Sequence, residues 1–166
     1  SPTAFLVDLC NSVYLSGWGG STNENIGNNT TLVTGMDTTL DAFQPTTTGS
    51  DLYLMVLADD ASRKIYGSFF GGATAAEHVD GGTSRFDRKG KIYQAVCAGC
   101  PRTSGISTSD FPIEPNPGAY SNLNRANGGC NNAVFKMDFL LPAVVAEFQL
   151  PRTICTNDSI LLRNLS

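Results

Sequence analysis

Charged and acid–base residues are scarce in this chain. Only 16% of its 166 residues are charged, and it has a single histidine, His78, and a single tryptophan, Trp18. A Ser-His-Asp hydrolase would have to use His78 as its base, yet no Gly-x-Ser-x-Gly elbow presents a nucleophile. A two-carboxylate glycosidase would draw on Glu24, Glu77, Glu114 and Glu147 beside the aspartates, and these fall mostly in turns rather than facing one cleft. Positive charge is not in excess either. With 11 Lys and Arg against 15 Asp and Glu, a formal charge of −4 and a pI near 4.8, there is no electrostatic footprint for nucleic acid or an anionic bilayer. Long apolar runs are missing: residues 139–146 stop at Glu147, well short of the roughly 20 needed to span a membrane. No direct membrane insertion is expected. Ser1 to Asp8 lack a basic segment followed by an apolar core, so they do not read as a signal peptide and begin as though cut from the middle of a strand.

What the chain does have is 17 glycines, many threonines and short β-type runs, a balance that suits strands and turns and leaves almost no helix. It also repeats itself. Asp8, Val13 and Tyr14 recur as Asp87, Ile92 and Tyr93, a constant separation of 79 residues. Ala42-Phe43 then matches Ala119-Tyr120, and Asp51-Leu52-Tyr53-Leu54 matches Asn132-Ala133-Val134-Phe135, in the same order with drifting spacing. Three blocks in order mark a repeat with loop insertions. About two units are too few to close an array, so further modules of the same long chain are expected partners.

Ala4 to Val7 and Ser12 to Ser16 read as a hairpin around Asp8-Leu9-Cys10-Asn11. Gly17 to Asp41 reads as a long loop with one short strand at Thr31-Leu32-Val33. The nearly continuous apolar run from Asp51 to Leu57 predicts a strand covered on both faces, with Ile65 to Phe70 as its partner after a turn at Asp59-Asp60-Ala61-Ser62. His78 to Phe86 reads as a strand interrupted at Gly81-Gly82. Asp87-Arg88-Lys89-Gly90 turns with one left-handed residue into Lys91 to Val96. Pro101 to Gly129 is a proline-rich loop in which only Ala119-Tyr120 looks ordered by packing, and Ala133 to Phe139 closes the second repeat.

The Asp-x-x-Gly-x-x-Tyr turn, Ser109-Asp110-Phe111-Pro112, Gly118-Ala119-Tyr120 and Phe135-Lys136-Met137-Asp138 together resemble bacterial β-propeller repeats. More closely, Tyr66 to Gly72, the Glu77 to Asp87 segment, Tyr93 to Cys100 and Cys130-Asn131 resemble large secreted Bacteroidetes surface proteins. In that family a propeller precedes PKD or immunoglobulin-like modules and a sorting domain, and the proteins are associated with gliding motility and type IX secretion. The resemblance implies an all-β chain: two propeller-type blades over 1–70 and 71–141, then the start of a PKD/Ig-like sandwich over 142–166. It implies an extracellular or outer-membrane-surface location in a bacterium, with secretion machinery as a partner. Asp37-Thr38-Thr39 and Asp158-Ser159-Ile160 are similar to the O-glycan acceptor pattern of that phylum.

Five cysteines, Cys10, Cys97, Cys100, Cys130 and Cys155, point to an oxidising compartment and leave one either free or paired outside this segment. Cys97-Ala98-Gly99-Cys100 has the spacing of a redox motif, but Pro101 opposes the helix such a motif needs, so structural cross-linking is expected. Cys97 with Cys100, or either with Cys130, are the candidate pairings. Zinc held by His78, Cys97, Cys100 and Cys130 has the right donors at an unfamiliar spacing. Glu77, His78, Asp80 and Asp87 gather carboxylates and an imidazole that suit acid/base work or calcium, although together with Arg85 they would more often hydrogen-bond neighbouring turns and the Gly81-Gly82 backbone. Trp18, among glycines, suits a sugar platform or packing against backbone. The expected function is a non-enzymatic surface scaffold or adhesin without a cofactor, binding surface glycans or other cell-surface proteins through its two long loops. The alternative is a calcium-dependent carbohydrate-binding or carbohydrate-acting propeller with Glu77, His78 and Asp80 at its mouth.

Overall fold

One carboxylate shapes each of two hairpins. Asp8 Oδ1 accepts the N–H groups of Cys10 at 2.8 Å and Ser12 at 2.9 Å, and its Oδ2 accepts the Tyr14 hydroxyl at 3.0 Å. Asp87 Oδ1 does the same for Lys89 at 2.8 Å and Lys91 at 3.1 Å, with the Tyr93 hydroxyl 3.4 Å from its Oδ2. The main chain closes identically in both, Asp8 N–H to the Ser12 carbonyl at 3.1 Å and Asp87 N–H to the Lys91 carbonyl at 2.9 Å. The left-handed residue is Asn11 in one turn and Gly90 in the other, with φ of 61° and 77°. A tight reversal leaves amides that no strand can satisfy, and a short acidic side chain reaching two and four residues ahead satisfies them.

The computed structural model describes residues 1–19, 34–79, 83–101, 110–114, 118–139 and Thr156. Asp80, Gly81-Gly82, the strand expected at Thr31 to Val33, Cys155, Asp158 and all but one residue of the expected 142–166 module lie outside them.

The described residues are all β apart from one short 3-10 turn at Asp59–Ala61, and they form two antiparallel sheets. In the first, β1 (Pro2–Val7), β2 (Val13–Trp18), β3 (Leu52–Leu57) and β4 (Lys64–Phe70) follow one another as a meander. In the second, β7 (Ile92–Cys100) is central and β8 (Asn131–Met137) pairs along one edge. The other edge of β7 is shared by β5 (Ala76–His78), which takes its Cys97–Cys100 end, and β6 (Ser84–Phe86), which takes residues 92–94. The segment around Gly81-Gly82 thus separates two pieces on a single sheet edge.

Strand alternation puts Tyr14, Ser16 and Trp18 in register with Val56, Leu54 and Leu52, and these with Tyr66, Ser68 and Phe70. This face meets Ile92, Val96 and Ala98 of β7 in one core. Phe70 lies 4.4 Å from Phe135, Tyr14 lies 5.8 Å from Phe86, and Ser16 Oγ donates to Gln94 Oε1 at 2.9 Å across the buried junction. Leu52, Leu54, Val56 and Ile92 are fully buried, each worth about 1.5–3 kcal/mol. The opposite face of β3 is covered as well: Tyr53 packs on Phe69, and the chain from Asp37 to Gln44 runs along β4, with Thr39 N–H to the Gly67 carbonyl at 3.0 Å. That double cover is why Leu52–Leu57 is apolar throughout.

Two expectations need correction. β2 continues to Trp18, so the first long loop starts later than Gly17. Ala119-Tyr120 is not ordered by packing, since Tyr120 is fully exposed; Phe111 is the buried residue that anchors the second loop.

The second turn abuts the first sheet closely, so that a Cβ on Gly90 would lie 2.5 Å from the Tyr14 ring, whereas one on Gly35 (φ 90°) would meet nothing within 4 Å. Gly90→Ala should therefore cost roughly 2–4 kcal/mol, combining left-handed strain with overpacking, against about 1–2 kcal/mol for Gly35→Ala. Urea denaturation midpoints of the two variants check the difference; equal losses would remove the role assigned to the Tyr14 contact.

Candidate functional site

Neighbouring residues of a strand point to opposite sides, and β5 separates Glu77 from His78 on that basis. The cluster expected from Glu77, His78 and Asp80 is therefore not one site: Glu77 and His78 enter different surroundings, and Asp80 lies outside the described residues. Asp87 is occupied by its own turn. Arg85 sits exposed on β6, donating from Nη1 to the Ser84 carbonyl at 2.7 Å.

Glu77 is fully buried, and neither of its carboxylate oxygens has a hydrogen-bond partner. Burial pushes its pKa up to about 8; the nearby amides of Gly72 and Gly99 pull the other way, and the charges of Asp51 and Asp110 raise it further. Those amides lie close enough to temper the charge but outside hydrogen-bond geometry. Asp51, at the entrance to β3, is also fully buried. Its Oδ2 accepts the Thr47 hydroxyl, the Thr48 N–H at 3.1 Å and the Gln44 side-chain amide at 3.4 Å. Asp110 Oδ2 accepts both the N–H and the hydroxyl of Thr74, each at 2.7 Å. Gly71-Gly72, which links β4 to β5, lies among all three carboxylates. A side chain on Gly71 would collide with Glu77 Oε2 and Asp51 Oδ1, and one on Gly72 with Asp110 Oδ1. Asp51 and Asp110 carry no sequence signal of their own for this site; the Gly-Gly pair ahead of Glu77 is the one local hint.

His78 enters a different environment. Its ring lies 5.5 Å from that of Trp18, and its Nδ1 is 3.6 Å from Cys100 Sγ. Trp18 is 7% exposed and belongs to the core, which excludes the exposed sugar platform. Cys100 is bonded to Cys130 across 30 residues, joining the end of β7 to the residue before β8. Cys10 is also disulfide-bonded, and Cys97 carries a thiol. Among the described residues, His78, Cys100 and Cys130 are the one group whose ligand atoms lie within 4.8 Å of one another. Its two sulfurs are spent on each other, and Cys97 is not part of it, so the four-ligand zinc centre is not assembled in this oxidised state.

A cleft of about 880 Å³ lies between residues 111–114 and 118–124 on one side and β8 on the other. Its wall includes Phe70 and Phe111, whose rings are 5.3 Å apart and edge to face, together with Phe135. Tyr120 and the half-exposed Phe43 and Leu123 stand in its lining beside Asn122. Phe111, Tyr120, Asn122 and Leu123 lie in the Pro101 to Gly129 loop expected to bind, but no single residue of the cleft reads from sequence as a ligand contact, because isolated aromatics give no periodic pattern.

No family model, curated protein or solved structure matches this chain.

Folded Glu77 keeps its proton to about pH 8, whereas an exposed one releases it near 4.5. The native state then binds more protons between these values, so the contribution of Glu77 to stability is greatest below pH 4.5, falls as pH rises through the window and levels off above pH 8. Glu77→Gln should remove that part of the slope, read as denaturant midpoints against pH. Identical slopes in variant and wild type would show that Glu77 is not buried unpaired. Cys130→Ser should cost roughly 3–4 kcal/mol through loss of the Cys100 cross-link, read as the denaturant midpoint against wild type under the same non-reducing conditions.

Proposed function

We propose that this chain is a non-enzymatic segment of a secreted bacterial surface protein, in which repeated propeller-type sheets form a rigid frame and the loops between their strands form the binding surface. The observation that carries this reading is the cleft of about 880 Å³ that residues 111–114 and 118–124 form against β8, with fully exposed Tyr120 in its lining. A loop supported by a rigid sheet can vary its tip without disturbing the core, and aromatic rings beside amide side chains suit the ring faces and hydroxyls of sugars. The bond-for-bond repetition of the Asp8 and Asp87 turns supports the reading of successive blades. The Cys100–Cys130 bridge supports an oxidising, extracellular location. The sequence resemblance supports a Bacteroidetes surface protein exported by type IX machinery and associated with gliding, with a PKD-like module following from residue 142. Its partners are further modules of the same protein and surface glycans.

Tyr120 and Leu123 sit on the surface, so replacing both with Ala should change stability by no more than about 0.5 kcal/mol. The same double variant should lose binding to immobilised bacterial surface glycans by on the order of tenfold or more, as expected when aromatic contact is removed. Glycan-array binding at matched thermal stability checks this. Unchanged binding, or no binding by the wild type, would overturn the reading of the cleft as the binding surface.

A further inference from the structure

The balance of 15 acidic against 11 basic residues over the whole chain conceals a local excess of the opposite sign. Arg88 and Lys89 at the tip of the second turn, Lys91 just after it and Lys136 on β8 surround a hollow of about 360 Å³, together with Tyr93 and Asp87. Four cations of an acidic protein thus share one opening. Asp87, the one carboxylate in the lining, already accepts two amides of its own turn. Lys91 is paired with Asp138 at 2.6 Å, but among the described residues Arg88, Lys89 and Lys136 have no carboxylate within ion-pair distance. Lys136 is also held in place: its Nζ lies 5.6 Å from the centre of the Tyr93 ring, a cation–π contact that keeps the ammonium over the sheet.

The first repeat shows that the fold does not call for these charges. Leu9, Cys10 and Ser12 stand where the second turn has Arg88, Lys89 and Lys91. Val56, not a lysine, is the cross-strand partner of Tyr14, as Lys136 is of Tyr93. Tyr14 is 4% exposed, whereas Tyr93 is 42% exposed. The same face is core in one copy and an open cationic surface in the other. Solubility is served by interspersed charges of both signs, whereas like charges gathered round a hollow repel one another and attract an anion.

We propose that this hollow binds the carboxylate or sulfate groups of an acidic polysaccharide. Lys136 lines both the hollow and the cleft, so a sugar chain seated in the cleft can continue across β8 onto the cations. A small free anion would gain nothing from that continuity. Ammonium and guanidinium groups donate charge-assisted hydrogen bonds to such oxygens. A nucleic acid would need a longer run of phosphate contacts, and the net charge of −4 opposes it. That the ligand is a sugar rests on the glycan reading of the cleft; that it is anionic rests on the four side chains alone.

The experiment uses the full 166-residue chain with polygalacturonate, its methyl ester as the same backbone without charge, and dextran sulfate, read by affinity electrophoresis and calorimetry at low salt. The wild type should bind one or both anionic chains, bind the ester on the order of tenfold more weakly, and depend on ionic strength. Binding should vanish in ~1 M sodium chloride, where the screening length is about 3 Å. Lys89→Gln and Lys136→Gln, both at exposed positions, should each weaken binding roughly threefold or more at unchanged Tm. Arg63→Gln, which removes the same charge at an exposed position outside the hollow, should bind like the wild type. The glycan reading of the cleft fails separately, through Tyr120 and Leu123, and its failure would leave the effects of the lysine variants in place. The proposal is overturned by equal affinity for ester and acid, by wild-type affinity in both lysine variants, or by no binding of either anionic chain. A single-stranded oligonucleotide bound as tightly as the polysaccharides would also overturn it, by marking a surface for any polyanion.

Discussion

The fold depends on a carboxylate that dictates the shape of a chain reversal. In each of the two hairpins a single aspartate occupies the amides two and four residues ahead and holds a tyrosine hydroxyl six residues ahead. Fixing the reversal fixes strand register, and register decides which side chains face the other sheet. A slip of one residue would exchange Tyr14, Ser16 and Trp18 for Val13, Leu15 and Gly17 at the junction, and the Ser16–Gln94 bond would have no donor. Tyr14 is therefore at once a partner of its own turn and the surface on which the second turn rests.

The junction between the sheets is neither wholly apolar nor uniformly polar. Aromatic rings from Tyr14, Phe70, Phe86 and Phe135 dominate its body. Polar groups enter where they are paired across the gap, as Ser16 and Gln94 are, or where they cluster at the Gly71-Gly72 link. A satisfied polar pair inside a core favours one alignment of the two layers over its neighbours, since any displacement leaves a buried donor or acceptor unmet. Glu77 departs from that economy, and a core rarely tolerates such a residue without some compensating role.

Much of the architecture was legible in the sequence because it is local. The Asp8 and Asp87 turns, the doubly covered Leu52–Leu57 strand and the break between β5 and β6 all follow from side-chain period and turn chemistry within a few residues. The functional constellations were legible only in part. Glu77, His78 and Asp80 are adjacent in sequence, and adjacency was taken for proximity; strand alternation separates the first two. Asp51 and Asp110 lie far from Glu77 along the chain and meet it only through the packing of two sheets, which no short window encodes. Trp18 looked like a loop residue because glycines surround it, yet its pairing with Leu52 carries it into the core.

One detail of the paired turns bears on how such a frame diversifies. Cys10 and Lys89 occupy the same place, and in both the aspartate reads only the backbone N–H. The side chain at that tip is irrelevant to the bend, so one copy spends it on a covalent tether and the other on a cation. A shape imposed from beneath leaves its apex exempt from folding constraints, which makes it a natural mounting point where linkages, charges or attached groups can be exchanged between copies without renegotiating the scaffold below.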